Sequence, residues 1–536
     1  MPLIFAVVLI VGMQLGFKMY EKLNGKAPRV SNVNGLGELQ EVFNYIDAKY
    51  VDGVNDSKLA ESAIEAALKE LDPHSNYISP EDLQAVNEDL QGNFEGIGVE
   101  FSIVRDTIMV VTPIAGGPSE KLGILSGDQI IAIEDSTIAG IGITNEQVVK
   151  RLRGNKGSSV NVSIKRKGVK DVLKYDIVRD DIPLYSVDVS YMMDDETGYV
   201  KINRFSRDTY NEFMDALSGL KQKGMDKLIL DLRQNPGGYL TAAVDISDEL
   251  IDGQKLLVYM QGQHYKRKEY RARKAGLFED GDLVILVDEG SASASEIVSG
   301  AVQDWDRGMI LGRRSFGKGL VQEQYDLSNG GALRLTVARY YTPTGRSIQK
   351  PYEEGVDAYR NEIVERYEQG ELQSEDSVKV ENDSLVFKTL IDKRTVYGGG
   401  GIMPDTFVPL DTTQNESFVI QVRSVIPEFA YEHFSNNQEY YRNFKSAEEY
   451  RSNYSVDDAL YTKFKNYIKK SDLEEIKYDE AILSRDKETI KTYIKAYIAR
   501  QLWQSDGFYP IIHDLDETLK EAYQKIHGTE MAKFGL

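Results

Sequence analysis

The sequence predicts a layered α/β core of the α+β kind, carrying a β-rich module in front of it and helical units at both ends. Three observations carry that reading. Between Thr197 and Leu311, short apolar runs (TGYVKI, KLILDL, LVILV) alternate with stretches of helical periodicity, the pattern of strands and helices stacked in layers. Between Gly92 and about Asp181 the runs shorten and end in Gly/Asp turns (IGVEF, IMVVTPI, QIIAIED, VNVSIKR), as in a small β domain. A chain of 536 residues also exceeds several-fold what one hydrophobic core organises, so three or more folded units are expected.

In chain order, the first element is Pro2 to Phe17 (PLIFAVVLIVGMQLGF), uncharged and almost wholly apolar, followed by Lys18 and a polar, turn-rich stretch. Residues 1–25 read as an export segment or membrane anchor, with a linker to 37. The uncharged run is shorter than the roughly 20 residues of a spanning helix, and Met19 and Tyr20 would extend it past a snorkelling Lys18. Cleavage and retention both stay open: against cleavage, no small-x-small site follows the run, and against both, no basic residue precedes it.

Residues 38–91 repeat apolar side chains at helical spacing (Leu39, Val42, Phe43, Ile46, then Leu59, Ile64, Ala67, Leu68) and break at Asp72-Pro73, an N-terminal helical unit. Residues 92–181 form the β module, with one helix near Asn145 to Leu152. Residues 182–410 form the core, with strands at Thr197–Ile202, Lys227–Leu232, Leu283–Val287 and Met309–Leu311. Its helices are expected near Thr209–Lys223, Thr241–Ile251 and Glu296–Trp305. An acidic, apolar-poor insertion covers 352–383, and a Gly-rich turn, Gly398 to Gly401, precedes the run Ile402 to Leu410. Residues 411–536 are rich in Tyr, Lys and Glu with helical spacing (Ile490, Tyr493, Ile494, Tyr497, Ile498), a mostly helical C-terminal region.

Composition narrows the function. With 85 acidic against 64 basic residues the net charge is -21, which repels nucleic-acid phosphate. Cysteine is absent, and the five histidines are scattered without ligand spacing, so neither a thiol nucleophile nor a metal site is expected. His264 lies in the polar stretch QGQHYKRKEY and His74 in a Pro-containing turn, and neither reads as catalytic.

The segment Gly290 to Gln322 (GSASASEIVSGAVQDWDRGMILGRRSFGKGLVQ) carries the chemistry. A buried strand leads through small residues into a helix, where an α/β fold exposes a side chain beside free N–H groups that stabilise developing negative charge. Ser293-x-x-Glu296 is equally a helix-capping box, and spacing alone does not say which of Ser291, Ser293 and Ser295 would be a nucleophile. Lys318, between two glycines and beside Phe316 and Leu320, supplies a base if burial lowers its pKa from the ordinary value of about 10.4. A second segment, Asp231 to Gly238 (DLRQNPGG), follows a buried strand and brings backbone close to whatever lies beside it.

These residues resemble the active-site signature of the C-terminal processing peptidases, the PDZ-containing Ser-Lys or tail-specific serine proteases. The resemblance implies a crotonase-like layered peptidase core with Ser293 as nucleophile and Lys318, 25 residues on, as general base. It implies that Gln322 orients the lysine amine, although in a flat strand the two would sit about 13 Å apart. It implies an oxyanion hole from Ala294 and Gly238, with Gly237 as the alternative. GIGVEF (Gly96 to Phe101) and GGPSEKLGILSGDQIIAIED (Gly116 to Asp135) resemble a PDZ domain. The backbone N–H groups of Gly96, Ile97, Gly98 and Val99 would then cradle a substrate's terminal carboxylate while the adjoining strand edge pairs with its tail. Leu71-Asp72-Pro73-His74-Ser75 and Gly400-Ile402-Pro404-Asp405 extend the resemblance over about Leu39 to Leu410.

The expected activity is serine endopeptidase cleavage near the C-termini of exported proteins, without metal or cofactor. The expected partners are peptide or protein substrates with apolar C-terminal tails, and the membrane through the N-terminal segment. The expected place is the cell envelope, on the periplasmic side of the inner membrane. The C-terminal region is left for an oligomer or adaptor contact. The rival readings are a catalytically silent, membrane-associated PDZ scaffold in which Ser293 only caps a helix, and a non-proteolytic crotonase-like enzyme, for which no acyl-CoA site is found.

Overall fold

The computed structural model describes residues 35–104, 106–377, 385–411, 417–470 and 479–534. Pro2 to Phe17 lie outside them, and no helix of the described residues is long and apolar enough to cross a membrane. The chain divides after Ala67 into two compact units. The first holds α1 (Leu36–Lys49), which buries none of its side chains, and most of α2 (Asp56–Lys69).

The second unit opens on a turn organised by Asp72. One of its carboxylate oxygens accepts from the N–H groups of His74 and Ser75, each at 2.8 Å, and the other from the Ser75 hydroxyl at 2.6 Å. Such a side-chain-closed turn competes with helix, so the helical unit expected over 38–91 is interrupted. The chain leaves the turn as β1 (Asn76–Ile78), and α3 (Pro80–Gln91) then begins on the Ser79 cap and ends at Gly92 with φ 78°.

The β module follows as β2 (Asn93–Gly96), β3 (Val99–Val104), β4 (Thr107–Pro113), α4 (Pro118–Lys121), β5 (Gln129–Ile133), β6 (Ser136–Thr137), α5 (Asn145–Leu152), β7 (Ser159–Lys165), β8 (Leu173–Val178) and β9 (Asp180–Pro183). β2 and β9 pair antiparallel at its neck, and its sheet runs β3-β4-β5-β7-β8. β3 is therefore an edge strand with one side unpaired within that sheet. The alternation read from VNVSIKR is real: Val160, Val162 and Ile164 are fully buried and the residues between them are not.

The core comprises β10 (Val187–Met192), β11 (Thr197–Ile202), α6 (Thr209–Gln222), β12 (Lys227–Asp231), α7 (Leu240–Leu250), β13 (Leu256–Gln261), β14 (Lys268–Arg271), β15 (Asp282–Val287), α8 (Ala294–Asp304), β16 (Met309–Gly312), β17 (Leu320–Asp326), β18 (Ala332–Tyr341), α9 (Val356–Glu368), β19 (Val386–Lys388), β20 (Thr395–Tyr397) and β21 (Thr406–Phe407). The main sheet runs β10-β11-β12-β15-β16-β21, parallel except for β10. A second sheet runs β1-β18-β13-β14, with β17 also on β18. The acidic stretch over 352–383 supplies α9, and a hairpin of β19 and β20 follows it.

The C-terminal region is helical, as expected: α10 (Ser417–Asn436), α11 (Gln438–Tyr441), α12 (Ala447–Asn453), α13 (Asp458–Lys470), α14 (Glu480–Arg485), α15 (Lys487–Ile512) and α16 (Glu517–Ile526). Its end completes the core. KLILDL and LVILV are continuous apolar runs because the main sheet is covered on both faces. Leu228, Leu230, Leu283 and Ile285 pack with α6, α7 and α8, whereas Ile229, Val284, Leu286 and Leu311 pack with Leu519, Ala522 and Ile526 of α16. Each such side chain left exposed would cost about 1.5–3 kcal/mol, so α16 is integral to the core.

α15 spans two contacts. Arg500 pairs with Glu100 on β3 at 2.8 Å, and the Gln504 amide reaches Thr112 of β4 at 3.4 Å. Beyond Gln504, whose φ of 50° and ψ of -130° interrupt the helix, Ser505 and Tyr509 bond to Asp188 of β10.

His513 ends this helix, 2.7 Å from the Tyr191 hydroxyl and packed on Tyr199, and burial pushes its pKa down to about 4. The unfolded chain, titrating near 6.5, then binds the proton first. Stability is unaffected above that value and falls as pH drops from about 6.5 to 4, by about 3 kcal/mol for this residue. Thermal unfolding from pH 7 to 4 should show the fall, lessened in His513→Gln. Equal pH dependence in both proteins would exclude His513 as its source.

Candidate active site

The turn between β15 and α8 sorts the three serines. Ser291 and Ser295 are fully buried and Ser293 is not. The Ser291 hydroxyl donates to Leu232 O at 2.8 Å and that of Ser295 to Asn235 O at 2.9 Å, so both fasten the turn to the DLRQNPGG loop. Ser293 sits at the helix entrance with φ 55° and ψ -109°, a conformation that costs a non-glycine residue about 1–3 kcal/mol and that clusters at functional sites.

The DLRQNPGG loop lies directly against this turn. A Cβ on Gly237 would stand 2.7–2.8 Å from Ala292 O, Ala294 N and Ser293 Cβ, and one on Gly238 would stand 2.0 Å from Phe205 O, so only glycine allows this approach. Gly237 N–H is committed to the Asn235 side chain at 2.9 Å. The N–H groups of Gly238 and Ala294 have no acceptor among the described residues, the condition a pair of oxyanion donors must meet. The loop is also anchored from the C-terminal region. Arg233 is held by Asp231 at 2.6 Å and by both oxygens of Asp516, the α16 cap, at 3.0 and 2.7 Å.

Two buried side chains bind the backbone of Ser293 to that of Lys318. Glu296 caps α8 as the S-x-x-E pattern predicts, but one of its carboxylate oxygens accepts from both Ser293 N–H (2.7 Å) and Lys318 N–H (2.9 Å). Its other oxygen accepts from the Ser315 hydroxyl at 2.6 Å and Gly317 N–H at 2.7 Å. Burial pushes this carboxyl up in pKa and the four donors pull it back. The Tyr340 hydroxyl, from β18, lies within reach of the carbonyls of both Ser293 (3.0 Å) and Lys318, its single proton shared between them. Nothing in the sequence marks Tyr340; its partner Ser293 is 47 residues away.

Lys318 itself is largely shielded. Burial pushes its pKa below the ordinary lysine range and the Arg334 guanidinium adds to the shift, opposed by the Glu296 and Asp72 carboxylates. Its amine has no hydrogen-bond or ion-pair partner among the described residues, so the backbones of Ser293 and Lys318 are brought together while hydroxyl and amine are not bonded.

Gln322 follows a register shift between Val321 and Gln322 in β17, and its amide N–H donates to His74 O at 2.6 Å. His74, set aside on sequence grounds, is thus part of the surroundings of Lys318. Burial and the Lys318 charge push its pKa down to about 4, and its Nε2 lies 2.9 Å from the Tyr359 hydroxyl.

In the β module, Ile97 O accepts from Ser119 N–H (3.1 Å) and hydroxyl (2.6 Å), and Gly98 O from Ile114 N–H at 3.0 Å. With its carbonyls tied back, the loop leaves the Ile97 and Gly98 N–H groups without an acceptor among the described residues. It stands at the start of β3, the edge strand, between Gly96 and Val99.

Comparison with known proteins agrees with this architecture. Residues 196–358 match Peptidase family S41, residues 96–177 match the PDZ domain, and residues 419–504 match a family of unknown function. The chain is 37% identical over 318 residues to the "Carboxy-terminal-processing protease" of Bartonella bacilliformis, covering 59% of this chain and 72% of that one. It is 35% identical over 315 residues to a "Probable CtpA-like serine protease" of Staphylococcus aureus, covering 58% and 62%. Among solved structures, a photosystem II D1 C-terminal processing protease matches with 30% identity and a TM-score of 0.35, over 59% of this chain and 85% of that one. Fold, site and sequence together define a serine protease with a PDZ domain and a C-terminal helical region. The chain belongs to Peptidase family S41, among the carboxy-terminal-processing proteases.

Proposed function

We propose that the protein is an endopeptidase that grips the C-terminal tails of protein substrates and cuts near them with a Ser293–Lys318 dyad. The observation that supports the dyad is the double clamp of Glu296 and Tyr340, which ties the backbone of an accessible serine to that of a shielded lysine. Ser293 Oγ attacks the scissile carbonyl carbon while neutral Lys318 takes its proton, and the resulting oxyanion is stabilised by Gly238 and Ala294 N–H. Collapse breaks the C–N bond, and the Lys318 ammonium returns the proton to the leaving amine. Water, deprotonated by Lys318, then hydrolyses the acyl-enzyme. Catalytic hydrogen bonds are commonly long before substrate binds and tighten around it, and this reading requires the lysine amine to close on the Ser293 hydroxyl in that way.

A terminal carboxylate at the free N–H groups of Ile97 and Gly98, within the loop Gly96 to Val99, with the preceding residues added along the open side of β3, is the tail grip this reading needs. Two measurements test it together. Cleavage of a protein substrate should slow about tenfold or more when its C-terminal carboxylate is amidated, whereas a short peptide reaching Ser293 unaided should be indifferent to amidation. The peptide rate should rise with pH through the lowered pKa of Lys318, because only the neutral amine accepts a proton. A protein substrate indifferent to amidation would remove the carboxylate grip, and a rate that falls as pH rises would remove the lysine base. The apolar Pro2 to Phe17 supports a catalytic body on the exported side of a membrane, which fractionation of the full chain tests directly; full recovery in the cytosolic soluble fraction would rule it out.

A further inference from the structure

We propose that α9, supplied by the acidic insertion, is a strap that holds the Lys318 turn in catalytic register, with Tyr359 as its positioning residue. The inference rests on the reading of Lys318 as the base. The Peptidase family S41 match covers residues 196–358 and so takes in the start of α9 and stops before Tyr359.

The backbone from 314 to 319 is gripped at nearly every polar group, and the grips come from different elements. Ser315 N–H bonds to Ile402 O, Phe316 N–H to Ser291 O, and Gly317 O accepts from Lys350 N–H, each at 3.0 Å. Gly319 N–H bonds to the Gln349 side chain at 2.8 Å, and Glu296 and Tyr340 hold the rest. From α9, the Arg366 guanidinium donates to Arg314 O at 2.8 Å and Ser315 O at 3.4 Å. Arg314 in turn is paired with Glu362 at 3.1 Å and Glu371 at 2.6 Å.

Tyr359 joins this grip to the lysine's surroundings. Its ring stacks edge-on against Phe316, two residues before Lys318, with centroids 5.9 Å apart. The buried Lys350 ammonium lies over both rings, 4.1 Å from Phe316 and 4.2 Å from Tyr359, and is fixed by Glu362 at 2.9 Å. The Tyr359 hydroxyl meets His74, whose carbonyl holds Gln322. One helix thus closes the turn from behind and sets the position of two groups near the amine. The charged and titratable groups that act on Lys318 are Arg334 from β18, Glu296 from α8, and Asp72 and His74 from the turn before β1. None of them belongs to α9, so loosening the strap acts on the lysine through water access and position, not through a lost charge.

The test uses the full chain and three proteins: wild type, Tyr359→Phe and Tyr359→Ala. Competitive acetylation of amines across pH, read by mass spectrometry, titrates Lys318 without any need for proteolysis. Short-peptide cleavage adds kcat and KM. In Tyr359→Ala, the Lys318 titration should move to higher pH, and kcat should fall about tenfold or more with KM within about twofold, the size of effect that small misplacements produce. Tyr359→Phe keeps the ring over Phe316 and should leave the titration unmoved. An unchanged Lys318 titration in Tyr359→Ala, with only a lower Tm, would overturn the strap. A wild type that titrates as predicted yet cleaves nothing would instead overturn the protease reading and leave the strap standing.

Discussion

Ser293→Ala is expected to lower turnover by roughly four orders of magnitude or more, the loss typical of removing a nucleophile that acts as one unit with its base. Its folding should be intact, since Ser291 and Ser295 carry the buried hydrogen bonds of the turn. Lys318→Arg should be as damaging as Lys318→Ala, because a guanidinium of the right length and charge is never deprotonated near neutrality. Ser291→Ala and Ser295→Ala should behave in the opposite way, each losing about 1–3 kcal/mol of stability with its bond to the DLRQNPGG loop and keeping measurable cleavage. Peptide turnover and thermal unfolding of the five variants separate the roles. Wild-type turnover in Ser293→Ala would overturn the assignment of Ser293 as nucleophile, and activity in Lys318→Arg would exclude an amine base.

The double clamp should show nearly as large an effect. In Glu296→Gln one carboxylate oxygen becomes an NH2 group that meets the N–H donors of both Ser293 and Lys318 when turned one way and that of Gly317 when turned the other, where the Ser315 hydroxyl can rotate to accept, so at least one of the four hydrogen bonds is replaced by a donor–donor contact. Hydrogen bonds to a charged group contribute about 1.5–3 kcal/mol each, so the turn should loosen and kcat should fall roughly a hundredfold or more. Tyr340→Phe removes a single hydroxyl and should be milder, lowering kcat with little change in KM or Tm. If Glu296→Gln cleaved peptide at the wild-type rate, the register of Ser293 and Lys318 would not depend on their shared carboxylate.

The parts of this fold that were legible in the sequence are those whose partners are local or repeated. KLILDL and LVILV announce a sheet covered on both faces because every residue is apolar, and VNVSIKR announces a half-exposed strand because every second one is. S-x-x-E gives a helix start at Ser293 within a residue. The choice among Ser291, Ser293 and Ser295 was not legible from spacing, because all three occupy equivalent small-residue contexts; burial separates them, and burial is set by a loop that begins 60 residues earlier. The second function of Glu296, the bridging hydroxyl of Tyr340 and the hold of His74 on Gln322 depend on contacts across 22 to 248 residues, made by sheet pairing that no local pattern encodes. The helix in the acidic insertion was missed for a related reason: its apolar content is low, and it is fastened by Arg366, Glu362 and Glu371 through ion pairs and carbonyl contacts.

The break at Gln504 makes α15 a jointed lever. One arm is pinned to the edge strand where a tail would add, the other to β10, the edge strand of the main sheet, and, through the α16 cap, to Arg233. A continuous helix transmits rotation along its whole length, so any tilt of the module would drag the core contacts with it. With a single non-helical residue as the fulcrum, a change of angle can be absorbed in one pair of backbone torsions while both sets of contacts persist. The exposed pair Arg500–Glu100, worth about 0–1 kcal/mol, is one light tie between module and C-terminal helices, beside the Lys167 ammonium on Ser435 O of α10 at 2.9 Å, so a small change of angle at Gln504 would strain few strong contacts.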